Sequence, residues 1–238
     1  MRLDIITLFP GICAAPLNES ILKRAQDHGL VTLRLVNLRD FAHDRHRTVD
    51  DRPFGGGAGM VLKPEPLFEA VESVRSPDAR VILLTPQGDR FTQQSAQRLS
   101  AEAHLILICG HYEGVDERVR QALVDEELSI GDYILTNGGL AAAVIADAII
   151  RLLPGVLGCA GSSEAESFGP DHLLEYPHYT RPAEFRGMCV PEVLLSGHHD
   201  QIEAWRREQK LVRTVARRPD LLERVVEKKH GQDAKATP

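Results

Sequence analysis

The sequence predicts an α/β fold, with a mostly parallel sheet in the larger part of the chain and a small all-α domain after it. Two observations predict this organisation. Short apolar runs alternate with amphipathic stretches through residue 153, and residues 158–172 are then rich in small and polar side chains. The alternation is typical of parallel strands joined by crossover helices, and a stretch with little to bury is typical of a linker.

Strands are predicted where short, mostly apolar runs occur, and in chain order these are 3–9, 31–38, 81–85, 105–109 and 127–135. Helical periodicity, with proline near a start or glycine after an end, predicts the helices. They are residues 20–28, 64–74, 91–101, 115–124 and 140–153. The last helix is the most apolar, but Asp147 and Arg151 interrupt it, so we interpret it as a buried helix and not as a membrane span.

These elements divide the chain into four predicted regions. Residues 1–158 form the α/β domain, and residues 159–172 form a flexible linker. Residues 173–228 form a helical domain, and residues 229–238 form a disordered tail. The four cysteines are widely spaced and include no CxxC pair, which excludes a zinc knuckle or a disulfide framework and favours a reducing, cytoplasmic setting.

Charge is distributed unevenly along the chain. The net charge of −6 argues against a nucleic-acid partner, but residues 171–238 contain 12 Lys/Arg against 11 Asp/Glu, whereas the first 170 residues contain 16 against 23. Residues 203–218 concentrate the positive charge in Arg206, Arg207, Lys210, Arg213, Arg217 and Arg218. This basic stretch fits either phosphate binding or an ordinary solvated helix face.

Three glycine-containing turns follow predicted strands, at residues 85–88, 110–114 and 129–139. Each turn alone would be ordinary punctuation between a strand and a helix. Because open α/β sheets bind ligands at the carboxyl ends of their strands, three such turns in succession predict a binding pocket. The sequence has no GxxxxGK[ST] phosphate loop and no clean GxGxxG, which argues against kinase-like and dinucleotide-binding functions.

Together these segments resemble one family. LTPQG, CGHYEGVDERV, SIGDYIL and LPGVLG, with DDRPFGGGAGM upstream and PHYTRP and VPEVLLSGHH downstream, are similar in order and spacing to the bacterial tRNA (guanine-N1)-methyltransferases. The resemblance runs from Met1 to about residue 225. It implies methyl transfer from S-adenosylmethionine to N1 of guanosine 37, next to the anticodon of tRNA.

The resemblance also implies a fold and partners that the residue pattern alone does not predict. The family (TrmD, in the SPOUT superfamily) has an α/β domain with a deep trefoil knot at its carboxyl end, and knots are rare in proteins. It implies a homodimer, the anticodon stem-loop as RNA partner and no membrane. It further implies a magnesium requirement, for which the sequence marks no protein ligands; His43 and His46 have no third ligand nearby.

By position in the shared motifs, the resemblance assigns residues to the cofactor and to the RNA. The residues expected to bind S-adenosylmethionine are Leu84, Thr85, Pro86, Gly110, Tyr112, Glu113, Gly114, Ile130, Gly131, Asp132, Tyr133, Ile134, Leu135 and Gly138. The residues expected to contact tRNA are Asp50, Arg52, Gly55, Gly59, His178, Tyr179 and Arg181.

Two further residues are expected to carry the chemistry. The resemblance assigns the general base to Glu166, where the family most often has aspartate, and the stabilisation of guanine O6 to Arg151. Glu164, two residues earlier, is the competing carboxylate, and a helix C-cap is the alternative role for Arg151. Two other functions stay open: a knotted methyltransferase acting on another RNA base, and a protein that binds RNA and S-adenosylmethionine without catalysis.

Overall fold

A computed structural model of the chain describes residues 1–157 and 166–222. The chain divides into two compact units, Met1–Gly158 and Cys159–Pro238. Residues 159–165 of the predicted linker and the whole predicted tail, 229–238, lie outside the described residues. No helix among the described residues is long and apolar enough to cross a membrane.

The first unit contains a five-stranded sheet in the order β2-β1-β6-β5-β7, and all four pairings are parallel. The strands of this unit are β1 (Arg2–Thr7), β2 (Thr32–Asn37), β3 (Asp50–Asp51), β4 (Val61–Leu62), β5 (Ala79–Arg90), β6 (His104–Cys109) and β7 (Glu126–Ser129). Strands β3 and β4 form a separate antiparallel pair. The predicted α/β fold with a parallel sheet is confirmed.

Helices cover both faces of this sheet. They are α1 (Pro10–Leu17), α2 (Ser20–Asp27), α3 (Pro64–Val74), α4 (Gln93–Ser100), α5 (Glu117–Leu123) and α6 (Gly139–Ile150). Helices α1, α2, α4 and α6 share a core with Leu105 and Leu107 of β6, whereas α3 and α5 share the opposite core with Ile106 and Ile108. A strand covered on both faces reads as one continuous apolar run, which is why β6 was predictable.

The first unit differs from the sequence prediction at α1, β5 and β7, and the short β3–β4 pair was not predicted either. Helix α1 was not predicted, because prolines at positions 10 and 16 disguise it, yet Pro10 occupies the first turn, where proline is tolerated. Strand β5 extends to Arg90, beyond the predicted end at Thr85. Strand β7 ends at Ser129 instead of residue 135, because Gly131 has a φ of 149° and the chain leaves the sheet there.

A buried polar cluster lies near the amino ends of β1 and β6. The Asp4 carboxylate is fully buried, 2.7 Å from His104 Nε2 and 2.8 Å from Arg2 Nε. Arg34 Nε lies 3.5 Å from its other oxygen. The second ring nitrogen of His104 is 2.7 Å from Ser76 Oγ. A buried carboxylate therefore has cationic or hydrogen-bonding side chains around it, as burial of a charge requires.

The second unit contains β8 (Glu184–Phe185), β9 (Met188–Cys189), α7 (Glu192–Leu195) and the long helix α8 (His199–Arg217). The prediction of an all-α domain is therefore wrong, since β8 and β9 pair antiparallel. Arg186 and Gly187 join the strands with φ values of 53° and 75°. Two successive left-handed residues are the geometry of a tight hairpin turn, and here only the glycine signals it.

Residues 166–172, the end of the predicted linker, form turns against α8. The Phe168 N–H donates to Leu173 O at 2.9 Å, and Asp171 pairs with Lys210 Nζ at 2.8 Å. The Leu174 N–H donates to Oγ1 of the buried Thr214 at 2.9 Å. These contacts tie the segment to the middle of the helix.

Candidate active site

A cleft of about 360 Å³ opens at the carboxyl ends of β5, β6 and β7. Its walls are three loops, of which residues 85–87 bulge out of β5 and residues 110–115 and 130–138 follow β6 and β7. This is the edge at which open α/β sheets bind ligands, and the volume suits a small organic molecule. The three glycine-containing turns singled out in the sequence therefore lie side by side.

The first loop is a bulge within β5. Leu84 and Asp89 both pair with Leu128 of β7, so the residues between them leave the ladder. The Gln87 N–H donates to Thr85 Oγ1 at 3.3 Å. Any side chain at Gly88 would collide with the backbone of Glu127 and Leu128. Glycine is required here because β7 passes directly over it, and the bulge turns the Thr85–Gln87 backbone toward the cleft.

The second loop lies directly against the third. Tyr112 and Gly114 have φ values of 56° and 133°, and the Gly114 N–H donates to His111 O at 3.0 Å. The Gly138 N–H donates to Gly110 O at 2.8 Å. A Cβ atom at Gly138 would lie 2.8 Å from Cys109 Cα, so only glycine allows this approach.

The third loop is held by short polar contacts and leads into α6. Ser129 Oγ accepts from the Gly131 N–H at 3.2 Å, and the Tyr133 hydroxyl donates to Ile130 O at 3.3 Å. The Asn137 side chain accepts from the Gly139 N–H at 2.8 Å, at the first turn of α6. His111 and Asn137 form an isolated antiparallel bridge between the two loops.

The structure brings together every residue predicted for the cofactor except one. Asp132 does not line the cleft; its exposed side chain forms an ion pair with Arg90. The cleft is also lined by residues that the sequence did not assign to the cofactor, and most of them lie within or beside the same motifs. These residues are Leu83, Gln87, His111, Val115, Leu128, Ser129, Thr136, Asn137 and Ala141.

His111 is the lining residue with the most distinctive electrostatics. Its ring packs edge-on against Phe9 and Tyr112, with centroids 5.3 and 4.2 Å away. Burial lowers the pKa of His111 below its ordinary value, Asp50 opposes this shift and Arg39 adds to it. Its Nδ1 is buried and has no hydrogen-bond partner among the described residues. His111 is therefore an uncharged side chain near neutral pH, with unused hydrogen-bonding capacity.

The predicted RNA contacts of the first unit lie beside this cleft. Asp50 pairs with Leu62 across β3 and β4, and the loop between these strands carries Arg52, Gly55 and Gly59. A side chain at Gly59 would collide with the Glu113 side chain. Contact with Glu113, a lining residue, places the end of this loop against the cleft wall.

The predicted RNA contacts of the second unit follow one another along an extended segment. His178 Nε2 lies 2.8 Å from Glu175, and the rings of Tyr179 and Trp205 have centroids 6.5 Å apart. Arg181 is exposed and precedes Pro182 through a cis peptide bond. These side chains are available at the surface of the unit.

The basic stretch of α8 divides into two groups. Arg206 pairs with Glu203, Lys210 with Asp171 and Arg218 with Asp220, all within 2.8 Å. The second group forms no ion pair within residues 1–157 and 166–222, and it consists of Arg207, Arg213 and Arg217. Only this second group offers positive charge that acidic neighbours do not already neutralise.

The two predicted catalytic residues lie in different units. Arg151 is the half-buried C-cap of α6, with its N–H donating to Asp147 O at 3.1 Å. Glu166 is partly buried, and its carbonyl accepts from the Gly169 N–H at 3.2 Å. Glu164 lies outside the described residues. The described residues contain no group of three or more His, Cys, Asp or Glu arranged to hold a metal ion.

The cleft offers a small organic ligand both hydrogen-bonding groups and apolar surface. Backbone N–H and C=O groups of the glycine turns provide hydrogen bonds, and Leu84, Ile130 and Leu135 provide apolar surface.

Residues 1–224 match the family described as tRNA (Guanine-1)-methyltransferase TrmD. The chain belongs to this family. Membership confirms the enzyme class predicted from the sequence, a tRNA (guanine-N1)-methyltransferase, which is a transferase that uses S-adenosylmethionine.

Curated relatives agree with this assignment to the TrmD family. The chain is 61% identical over 225 residues to the tRNA (guanine-N(1)-)-methyltransferase of Geobacillus kaustophilus, covering 94% of this chain and 92% of the relative. It is 60% identical over 226 residues to that of Anoxybacillus flavithermus, with the same coverage. The enzyme of Carboxydothermus hydrogenoformans is 59% identical over 222 residues, covering 93% and 87% of the two chains.

Proposed function

We propose that this chain methylates N1 of the guanosine immediately 3′ of the anticodon, guanosine 37, with S-adenosylmethionine bound in the cleft of the first unit. The observation that carries this proposal is the convergence of three glycine-containing loops at the carboxyl ends of β5, β6 and β7. When bound there, S-adenosylmethionine supplies the methyl group. The glycines let a bent ligand lie against the main chain, whose N–H and C=O groups can read an adenine edge.

The reaction makes two demands on the protein. Guanine N1 carries a proton, which a base removes as the methyl group arrives, and negative charge then develops on the neighbouring O6. We assign proton removal to the Glu166 carboxylate and charge stabilisation to the Arg151 guanidinium. Arg151 is half-buried at the end of an apolar helix, where a guanidinium is best placed to meet an anionic group.

The tRNA is proposed to contact both units. In the first unit, Asp50 and Arg52 lie beside the cleft and carry groups that pair with base edges or phosphates. In the second unit, residues 173–228 serve as the RNA-binding domain, with Arg207, Arg213 and Arg217 on α8 contacting phosphates. The proposed contacts also include Gly55 and Gly59 of the first unit and His178, Tyr179 and Arg181 of the second.

Assembly and topology belong to the same proposal. Leu140 and Val144 are exposed apolar residues four positions apart on α6, so they form one stripe suited to packing against a second copy of the chain. Sedimentation equilibrium would test this homodimer. The deep trefoil knot at the carboxyl end of the α/β domain, which the family resemblance implies, is part of the same proposal. A magnesium requirement is proposed without assigned protein ligands.

The function is tested by methyl transfer from labelled S-adenosylmethionine to two tRNA transcripts that differ only in the target nucleotide. One carries guanosine 3′ of the anticodon with a second guanosine before it, and the other carries adenosine at the target. Transfer to the first transcript alone is the expected result. Equal transfer to both would indicate a different target base. Binding of cofactor and RNA without transfer to either would indicate a protein that has lost catalysis.

The catalytic assignment is tested by single-turnover kinetics of Glu166→Gln, with Glu164→Gln as the matched control two residues away. Loss of a general base costs about 100-fold or more in rate, so we expect Glu166→Gln to lose at least that much while cofactor affinity is unchanged. Glu164→Gln should react like the wild type. The reverse result would transfer the role of base to Glu164.

Arg151→Lys keeps the positive charge but loses the planar fork of the guanidinium. It should slow the methyl-transfer step without weakening cofactor binding.

A further inference from the structure

Phe54 is the most exposed large hydrophobic residue of the described chain, with its full surface open to solvent (102% relative exposure). It lies in the loop Arg52–Gly59, which joins β3 to β4 and which we call the glycine loop. A side chain with no packing contacts contributes nothing to the hydrophobic stabilisation of the fold. Its presence at this position therefore has to be explained by something that it meets outside the chain.

The glycine loop has a defined conformation that holds Phe54 outward. Gly55, Gly56, Gly57 and Gly59 have φ values of 85°, 79°, 121° and 82°, all in the left-handed region that other residues rarely adopt. The Gly56 N–H donates to Pro53 O at 3.3 Å, closing a turn around Phe54. Three glycines follow the ring directly, so no neighbouring side chain on that side covers its face.

The loop is anchored to the wall of the cleft. Asp51 pairs with Val61 at its base, and the Glu113 N–H donates to Met60 O at 3.0 Å. Gly59 packs against the Glu113 side chain, which lines the cleft. Phe54 is therefore an exposed aromatic ring on a loop that is held against the wall of the cleft.

The surroundings of Phe54 fit a nucleic acid better than a protein. Arg52, two residues away in the same loop, is exposed and forms no ion pair with any described residue. An exposed aromatic ring and an exposed guanidinium on one short loop are the residue types that stack on a base and contact a phosphate. A protein partner would instead be met by a contiguous apolar patch, and the neighbours of Phe54 within the loop are glycines and a proline.

We propose that Phe54 stacks on a base of the anticodon loop adjacent to the target guanosine and thereby positions the target over the cleft. This inference rests on the proposed function, because it takes the RNA substrate from it. Phe54 is a positioning residue: it touches a neighbouring base and does not take part in the chemistry.

The test uses the full-length protein with S-adenosylhomocysteine, so that binding is measured without methyl transfer. Anticodon stem-loops carry 2-aminopurine on the 5′ or the 3′ side of the target, and stacking quenches its fluorescence. Phe54→Ala and Phe54→Leu should each weaken binding by about fivefold to 150-fold, the range for one stacked base, and should abolish the quenching at one position. Phe54→Tyr keeps the aromatic face and should restore both.

Stability and cofactor affinity serve as controls. Because the Phe54 side chain is fully exposed, all three variants should melt like the wild type and bind S-adenosylhomocysteine equally well. Wild-type affinity and quenching in Phe54→Ala, or in Phe54→Leu, would overturn the inference. A wild-type protein that binds and quenches but transfers no methyl group would contradict the proposed function and leave the inference standing. A wild-type protein that binds neither stem-loop would overturn both.

Discussion

Charged side chains lie at the amino ends of β1 and β6, which we call the closed end of the sheet. Glycines leave the main chain accessible at the carboxyl ends of β5, β6 and β7, which we call the open end. At the closed end, Asp4 is buried among His104, Arg2 and Arg34. At the open end, loops of the cleft contact one another mainly through main-chain atoms, as in the hydrogen bond from Gly138 to Gly110. The same parallel sheet thus has two chemically different edges.

The difference shows how one sheet separates stability from binding. At the closed end the buried Asp4 carboxylate is surrounded by side chains of opposite charge, so that end contributes to the fold. At the open end the glycines have no side chains to cover the main chain, so a ligand can reach the main-chain N–H and C=O groups. Substitutions at the closed end should therefore change the free energy of unfolding, and substitutions at the open end should change affinity.

The largest expected effect is at the closed end, in Asp4→Asn. Removing the charge of the carboxylate leaves the half-buried Arg2 guanidinium without its counter-charge and weakens the contact with the buried His104, and breaking a buried pair costs about 3 kcal/mol or more. Urea denaturation should show this loss in the free energy of unfolding. Below the unfolding transition, affinity for S-adenosylmethionine should be unchanged.

A matched control for Asp4→Asn is Asp27→Asn, which breaks the exposed ion pair with Lys23 on α2. Exposed pairs contribute little, so its free energy of unfolding should equal that of the wild type. If Asp4→Asn is as stable as this control, or if it loses cofactor affinity while staying stable, the contrast between the two ends is wrong.

A smaller effect in free energy, but one confined to binding, is expected from Gly138→Ala at the open end. The new methyl group would lie 2.8 Å from Cys109 Cα and 3.0 Å from the Gly110 nitrogen, and a backbone cannot yield as a flexible side chain would. The second and third loops must separate, so calorimetry should show S-adenosylmethionine binding at least about tenfold more weakly, equivalent to about 1.4 kcal/mol.

Gly11→Ala in α1 is the control for the added methyl group, because nothing lies within 4 Å of its new Cβ atom. Its cofactor affinity should be that of the wild type, and its stability equal or slightly higher, since alanine restricts the unfolded chain. Wild-type affinity in Gly138→Ala would show that contact between the loops does not shape the cleft.

The smallest expected effect is a pH dependence from His111. Because burial lowers the pKa of His111, the folded protein favours the neutral ring. Its contribution to stability is fully present above the unfolded-state pKa of about 6.5 and is lost as pH falls toward the folded pKa. Protonation would also add a positive charge to a cleft in which Glu113 and the nearby Asp50 and Arg39 are the other charged side chains.

S-adenosylmethionine carries a positive sulfonium charge that S-adenosylhomocysteine lacks. The affinity for S-adenosylmethionine divided by that for S-adenosylhomocysteine therefore reports the charge that His111 gains on protonation. We expect the affinity for S-adenosylmethionine relative to that for S-adenosylhomocysteine to fall about threefold as pH drops through the pKa of folded His111, which lies below the ordinary value of about 6.5. His111→Gln does not titrate and should give a flat ratio. An equal slope in wild type and variant would assign the dependence to another group.

Particular residues show why some of this structure was predictable. The apolar run of β6 and the glycines at 114 and 131 carry local signals, since burial on both faces and left-handed backbone limit which residues fit. Helix α1 and the hairpin at Arg186-Gly187 were missed because their signals are weak or misleading. The Asp4–His104 contact joins residues 100 positions apart, and no local pattern connects them.

Strand positions, the sites of the three turns and the family motifs therefore follow from the order of residues, because each depends on neighbours within a few positions. Contacts between the turns, the lowered pKa of His111 and the pairing of Lys210 with Asp171 required the folded chain. Each of these depends on groups brought together by long-range packing. Distance and burial, which set electrostatic and hydrogen-bond energies, are properties of the assembled structure.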